Sequence, residues 1–154
     1  MGIRSAALVM GVCSALAAGA AYAEGSPFVG RWRWNLAQST LPPGVPAPKD
    51  VVSEISRADG QSISWSVTIV TPDDVRHVVE FQADPAGAAP HGANTTASAR
   101  MADETLQATF NGAAGQSDTQ TCTVSADRTQ MTCKGLVSDE QGHSASYVDV
   151  YGRM

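Results

Sequence analysis

Residues 62–69 alternate without a break: Ile63, Trp65, Val67 and Ile69 are set against Ser62, Ser64, Ser66 and Thr68. Successive side chains of an extended strand point to opposite faces, so this pattern separates apolar from polar only as β structure. A strand wet on one side and buried on the other belongs to an antiparallel sheet. The alternation recurs along the chain. Val75, His77, Val79 and Phe81 share one face of residues 75–82, and Leu106, Ala108 and Phe110 share one face of residues 105–110. Tyr147-Val148-Asp149-Val150-Tyr151 adds a β-branched and aromatic run.

Turn residues punctuate these runs. They include Asp59-Gly60, Thr71-Pro72-Asp73-Asp74, Asp84-Pro85-Ala86-Gly87, Ala102-Asp103-Glu104, Gly112-Ala113-Ala114-Gly115, Ala126-Asp127-Arg128-Thr129 and Asp139-Glu140-Gln141-Gly142. The spacing predicts a first strand at about residues 29–35 and eight more after it. No segment carries the 3.6-residue period of a helix. Pro42, Pro43, Pro46 and Pro48 make a stiff, extended connector after the first strand, expected to lie over one end of the sheet structure. A meander of this length closes as a sandwich or a barrel, and consecutive hairpins without long crossovers favour the barrel. The expected fold is therefore all-β: an antiparallel up-and-down meander closed into a barrel of about eight to nine strands.

The N-terminus reads differently. Arg4 precedes an apolar run at residues 6–20, which ends at Ala21-Tyr22-Ala23. A basic residue, an apolar stretch and a small-x-small site make a secretory signal peptide. The run is shorter than the roughly 20 residues a membrane-spanning helix needs. The expected organisation is a cleaved signal peptide over residues 1–23 and a single domain over residues 24–154, with Glu24 the first mature residue. Cys13 lies inside the leader behind Val12, where lipid attachment needs a small residue, so a periplasmic or secreted, unlipidated protein is expected. No other stretch is long and apolar enough to span a membrane.

The net charge is −5, from fifteen acidic and ten basic residues, and Arg4 belongs to the leader. A dispersed acidic balance without Lys/Arg clusters argues against nucleic acid and anionic membranes as partners.

Cys122 and Cys133 flank the turn at Asp127-Arg128. A hairpin centred there sets Cys122 opposite Cys133 and Val124 opposite Met131. It also puts those four on one face, with Thr121, Thr123, Thr132 and Lys134 on the other. A slip of one residue would split the apolar set between faces. Directly opposed cysteines meet disulfide geometry best at a non-hydrogen-bonded pair, which favours a four-residue loop. An exported chain permits oxidation. A Cys122–Cys133 disulfide is expected, the alternative being two buried thiols in the core. There is no CxxC motif to suggest redox chemistry.

Phe28-Val29-Gly30-Arg31-Trp32-Arg33-Trp34-Asn35 carries a Gly30-x-Trp32 motif on the first strand. A G-x-W opening a β-meander resembles the lipocalin and fatty-acid-binding superfamily. Phe28, Gly30, Trp32, Asn35 and Ser39, followed by the proline-rich stretch, are also similar to a group of small exported bacterial lipocalin-like (calycin-type) barrel proteins. The resemblance covers most of residues 28–153. It implies a lipocalin-like barrel with Trp32 as the plug of its closed end and Arg153 packed across it in a cation–π contact. The chain departs from lipocalins in lacking their later strand-linking signatures and their helix before the last segment. Arg128 also stands in a turn where glycine would sit more comfortably.

A small barrel either encloses one ligand or fills itself with side chains, and the sequence leaves both open. Trp65, His77, Phe81 and Phe110 are the candidates to line a ligand pocket, with Ala97, Ala99 and Ala108 leaving room. His77 is the one ionisable residue assigned to that inward face, as a polar anchor, a haem ligand, or a wet histidine at the barrel mouth. His91 and His143 sit in loops without metal-ligand spacing, and Asn94-Thr95-Thr96 matches a glycosylation sequon. No nucleophile elbow, paired catalytic carboxylates or phosphate-cradling glycine loop is present. No catalytic residue, metal or cofactor is assigned, and an enzyme is not expected. The expectation is an exported protein binding or carrying a small apolar ligand. The alternative is a filled barrel acting as a structural or protein-interaction module.

Overall fold

The computed structural model describes residues 25–59, 62–83, 89–90, 96–102 and 104–154. The signal peptide expected at residues 1–23, the turns at Gly60 and Asp84-Pro85-Ala86-Gly87, Asp103, His91 and the Asn94-Thr95 half of the sequon lie outside them.

Nine strands and one two-residue strand make a single antiparallel sheet. They are β1 (Gly30–Trp34), β2 (Asp50–Ala58), β3 (Ile63–Val70), β4 (Arg76–Ala83), β5 (Ala89–Pro90), β6 (Thr96–Ala102), β7 (Thr105–Asn111), β8 (Ser117–Val124), β9 (Gln130–Ser138) and β10 (Ser144–Arg153). Their order in space is β4-β3-β2-β1-β10-β9-β8-β7-β6-β5. The first strand thus pairs with the last, which curls the meander into a nearly closed barrel. A seam remains where β4 faces β5 and β6, with no strand pairing across it among the described residues.

The alternating residues fall where the period-two reading puts them. Trp65 opposes Phe81 and Val67 opposes Val79, while Ala97 opposes Phe110 and Met101 opposes Leu106. Ile55, Ile63, Leu106, Met131 and Phe28 are fully buried. Two single 3₁₀ turns, Leu36–Gln38 and Ala113–Gly115, are the helical elements among the described residues. The first is an excursion between Trp34 and Thr40, which rejoins the edge of β10 through Thr40 N–H to Val148 C=O at 2.7 Å.

The β8–β9 hairpin adopts the expected register: Cys122 opposes Cys133 and Val124 opposes Met131. Ser125 N–H donates to Gln130 C=O at 2.9 Å, so the loop holds the four residues 126–129. Counting back from that bonded pair makes Cys122 and Cys133 a non-hydrogen-bonded pair, and they form a disulfide with both residues fully buried. Arg128 occupies the loop with φ 59°, the left-handed conformation that favours glycine. The loop is held instead by Asp127, whose carboxylate accepts from Ser125 Oγ at 2.6 Å and from Thr129 N–H at 3.2 Å.

Candidate functional site

The two ends of the barrel are built differently. One is closed by Trp32, which is fully buried and donates its indole N–H to Phe28 C=O at 2.8 Å. Arg153 opposes Trp32 across the β1–β10 pair, and its guanidinium carbon lies 4.0 Å from the ring centroid. The guanidinium donates to Val29 C=O at 3.0 Å, Pro27 C=O at 2.6 Å and Arg128 C=O at 2.6 Å. It therefore ties the chain entry, the β8–β9 loop and the ring together. Gly30 lies beneath it with φ 144°, and a Cβ there would run into the guanidinium. That contact is the physical reason for the glycine of the G-x-W motif.

The other end is open. A cavity of about 610 Å³ lies there, between the proline-rich loop and the upper ends of β7 to β10. Pro42, Pro43 and Val45 form one wall, and Phe110, Val137 and Ala145 form others. Leu41 and Ala47 pack the loop against the core. The volume falls in the range of small-molecule sites. Among the described residues, the charged or ionisable ones in the lining are Asp118, Asp139 and His143, and none is Lys or Arg.

Below the mouth, Trp65, Phe81 and Phe110 come together as a ring cluster. Their centroids are 5.3 Å (Trp65–Phe81), 6.4 Å (Trp65–Phe110) and 5.2 Å (Phe81–Phe110) apart, in tilted and edge-on arrangements suited to aromatic pairs. Trp65 also donates its indole N–H to the buried Ser53 hydroxyl. Of the three rings, Phe110 lines the mouth cavity, while Trp65 and Phe81 stand behind it.

His77, the fourth candidate, is not part of this cluster. It opposes Ile69 on the expected face but is exposed. Alternation assigns a face and says nothing of depth. His77 is the second residue of β4, beside the β3–β4 turn, and β4 has no strand paired on its other side among the described residues. Val75, expected inward, is likewise exposed at the hairpin's turn.

Among the described residues, the carboxylates that do occupy the interior are Asp118 and Asp149. Asp149 opposes the buried Cys133, which fixes its inward direction, and Asp118 opposes Val137. Tyr147 donates its hydroxyl to Asp118 Oδ1 at 2.7 Å, and Trp34 donates its indole N–H to Asp149 Oδ1 at 2.8 Å. Tyr147 reaches Asp118 by lying across its cross-strand partner Gly135, where a Cβ would fall inside the ring. Burial pushes the Asp118 carboxyl above the usual carboxylate range, against the pull of the Tyr147 hydroxyl. Burial does the same to Asp149, opposed by Trp34, reinforced by the Asp118 charge and opposed again by Tyr151. Burial and these carboxylates raise the Tyr147 and Tyr151 phenols, so both remain protonated donors. No cationic side chain among the described residues pairs with either carboxylate.

Neither a family model nor a curated protein sequence matches the chain. Solved structures do. The wild-type fluorescent protein UnaG is similar with a TM-score of 0.58 at 17% identity, over 83% of this chain and 98% of that one. The zebrafish ileal bile acid-binding protein, solved in complex with cholic acid, is similar with a TM-score of 0.56 at 18% identity, over 84% of this chain and 100% of that one. The fold is a calycin-type, lipocalin-like β-barrel.

In this barrel the sequence reading missed the polar wall, although a signal for the Asp118 part of it existed. Extending the Cys122–Cys133 register back along β8 and forward along β9 sets Asp118 opposite Val137, on the cysteines' face. The Tyr147, Asp149 and Tyr151 face of β10 is set by the separate β9–β10 pairing, in which Asp149 opposes Cys133, and the cysteine register does not reach it. The valines between them suggest the opposite assignment, because Val148 and Val150 are the more apolar set. Val150 is nonetheless buried from outside, beneath the residue 35–39 excursion.

Proposed function

We propose that this protein binds a small, largely apolar molecule in the mouth cavity and carries or sequesters it outside the cytoplasm. The observation that carries the reading is the cavity of about 610 Å³ with apolar walls, in a barrel plugged toward its opposite end by Trp32 and Arg153, where a second recess of about 540 Å³ is lined by Pro27, Ala58, Met101, Val124 and Arg128. A cavity with a stiff proline-rich rim suits reversible uptake of one ligand. The similarity in fold to a protein crystallised with cholic acid supports the reading. Phe110 forms the floor of the site, and Trp65 and Phe81 hold it in place. Export is the role of residues 1–23, and the disulfide suits an oxidising compartment.

The test is native mass spectrometry of the mature chain purified from its own host. Extra mass that disappears on denaturation supports the carrier and identifies the molecule. A bare chain that also takes up no apolar probe, with Phe110 and Val137 resonances unmoved in NMR titrations, speaks for a filled barrel acting through its outer surface.

A further inference from the structure

We propose that the cavity selects an apolar molecule bearing a cationic amine, with Asp118 as the anchor of its ammonium group. The inference rests on the binding reading above and names the ligand class of that same site.

The walls set the body of the ligand. Pro42, Pro43, Val45, Phe110, Val137 and Ala145 offer apolar surface and little to hydrogen-bond. The charges set its head. Asp118 lines the cavity, Asp139 stands at its rim, and Glu140 lies beside it as the acceptor of Gln116 Nε2 at 3.2 Å. Asp149 lies deeper on the same inner wall, within reach of the Asp118 charge. Against these acids the lining holds no Lys or Arg among the described residues, and His143 is already joined to Asp139 at 3.0 Å. An anionic headgroup would therefore enter a field of its own sign without a compensating cation.

Asp118 is also under-supplied. It accepts one hydrogen bond, from the Tyr147 hydroxyl to Oδ1. A carboxylate has room for about four donors, and Oδ2 takes none from the described residues. An ammonium brings three N–H donors and a full positive charge, and its hydrogen bond to a half-buried carboxylate is of the stronger, charge-assisted kind. Phe110, in the same lining, adds an aromatic ring, the side-chain type that attracts a cation over its face. A neutral hydroxyl head could donate one hydrogen bond to the empty acceptor but would leave the charge uncompensated.

The experiment compares three probes with one chain length and three heads: dodecylammonium, dodecanol and dodecanoate. Each is titrated below its micellar concentration into the mature chain at physiological salt, by calorimetry and by methyl NMR of Val137 and Ala145. Dodecylammonium is expected to bind at least about tenfold more tightly than dodecanol, as a charge-assisted contact implies, with dodecanoate weakest. Asp118→Asn should bring dodecylammonium down to the affinity of dodecanol and leave dodecanol unchanged. A preference that survives Asp118→Asn belongs to the acidic surface and overturns the assignment. Should that variant fail to fold, the wild-type ranking and the shifted methyls decide. Equal binding of amine and alcohol, or tighter dodecanoate, overturns the charge selection and leaves the apolar-ligand reading standing. Failure of all three to bind or to shift Val137 and Ala145 removes both.

Discussion

Removing the hydroxyl of Tyr147 should destabilise the barrel in a way that depends on the charge of Asp118. The phenol donates to Asp118 at 2.7 Å, in a half-buried wall with no cation nearby. A hydrogen bond to a charged acceptor contributes roughly 1.5–3 kcal/mol, and one between neutral partners about 1 kcal/mol. The wall is partly wet, so the lower part of that range applies, and Tyr147→Phe should cost about 2 kcal/mol at pH 7. Asp118→Asn keeps an acceptor oxygen for Tyr147 and removes the charge that burial penalises. In that background Tyr147→Phe should cost only about 1 kcal/mol. The coupling between the two sites is then about 1 kcal/mol at neutral pH. It should shrink toward zero once Asp118 is protonated, because the carboxyl then resembles the amide. Urea denaturation of the four proteins, at neutral pH and near pH 4, measures all of this. A loss under ~0.5 kcal/mol for Tyr147→Phe would show that the bond is not formed in solution. An equal loss in both backgrounds would show that the Asp118 charge does not enter it.

Reducing the Cys122–Cys133 bond, which closes a loop of sequence separation 11, should lower the unfolding free energy by about 3 kcal/mol; urea curves with and without reductant give the number. Arg153→Ala should cost about 2–3 kcal/mol through loss of the ring contact and the three carbonyl bonds, read as a lowered Tm, with Arg153→Lys recovering only part. Asp118 and Asp149 both titrate above the usual carboxylate range in the fold, so their contribution is greatest below the unfolded value, about 3.9, and is lost as pH rises through the folded values. The half-buried Asp50 and the exposed Asp73, Asp127 and Asp139 are shifted down, so their contribution is lost on acidification below about 3.9. Stability should accordingly rise as pH falls from 7 toward about 4 and then decline. Calorimetric scans against pH test the shape, and Asp118→Asn with Asp149→Asn should flatten its neutral limb. Intact-mass analysis of exported material should find Glu24 as the first residue.

What could be read in this sequence was pattern that repeats locally; what could not was depth and covering. The faces of β3, β4, β6 and β7 follow from alternation because each strand carries its own apolar set. The β8–β9 register follows from two cysteines and a turn because a slip of one residue would have sent Val124 and Met131 to opposite sides. His77 shows the first limit. Its face was legible, but its exposure depends on β4 having no strand paired on its other side among the described residues, a relation between strands distant in sequence. Asp149 shows the second. On β10 the apolar alternation runs Val148–Val150, and those valines face outward, with Val150 beneath a single 3₁₀ turn that no periodicity announces. The carboxylate and tyrosines therefore point inward, where a hydrophobicity argument would not send them. They are tolerated because Trp34, Tyr147 and Tyr151 supply donors from the same wall. A folded core gains nothing from half-burying two carboxylates without a cation, since apolar residues of similar size would pack there at no electrostatic cost. Their presence at and beneath the mouth cavity is best accounted for by what enters it.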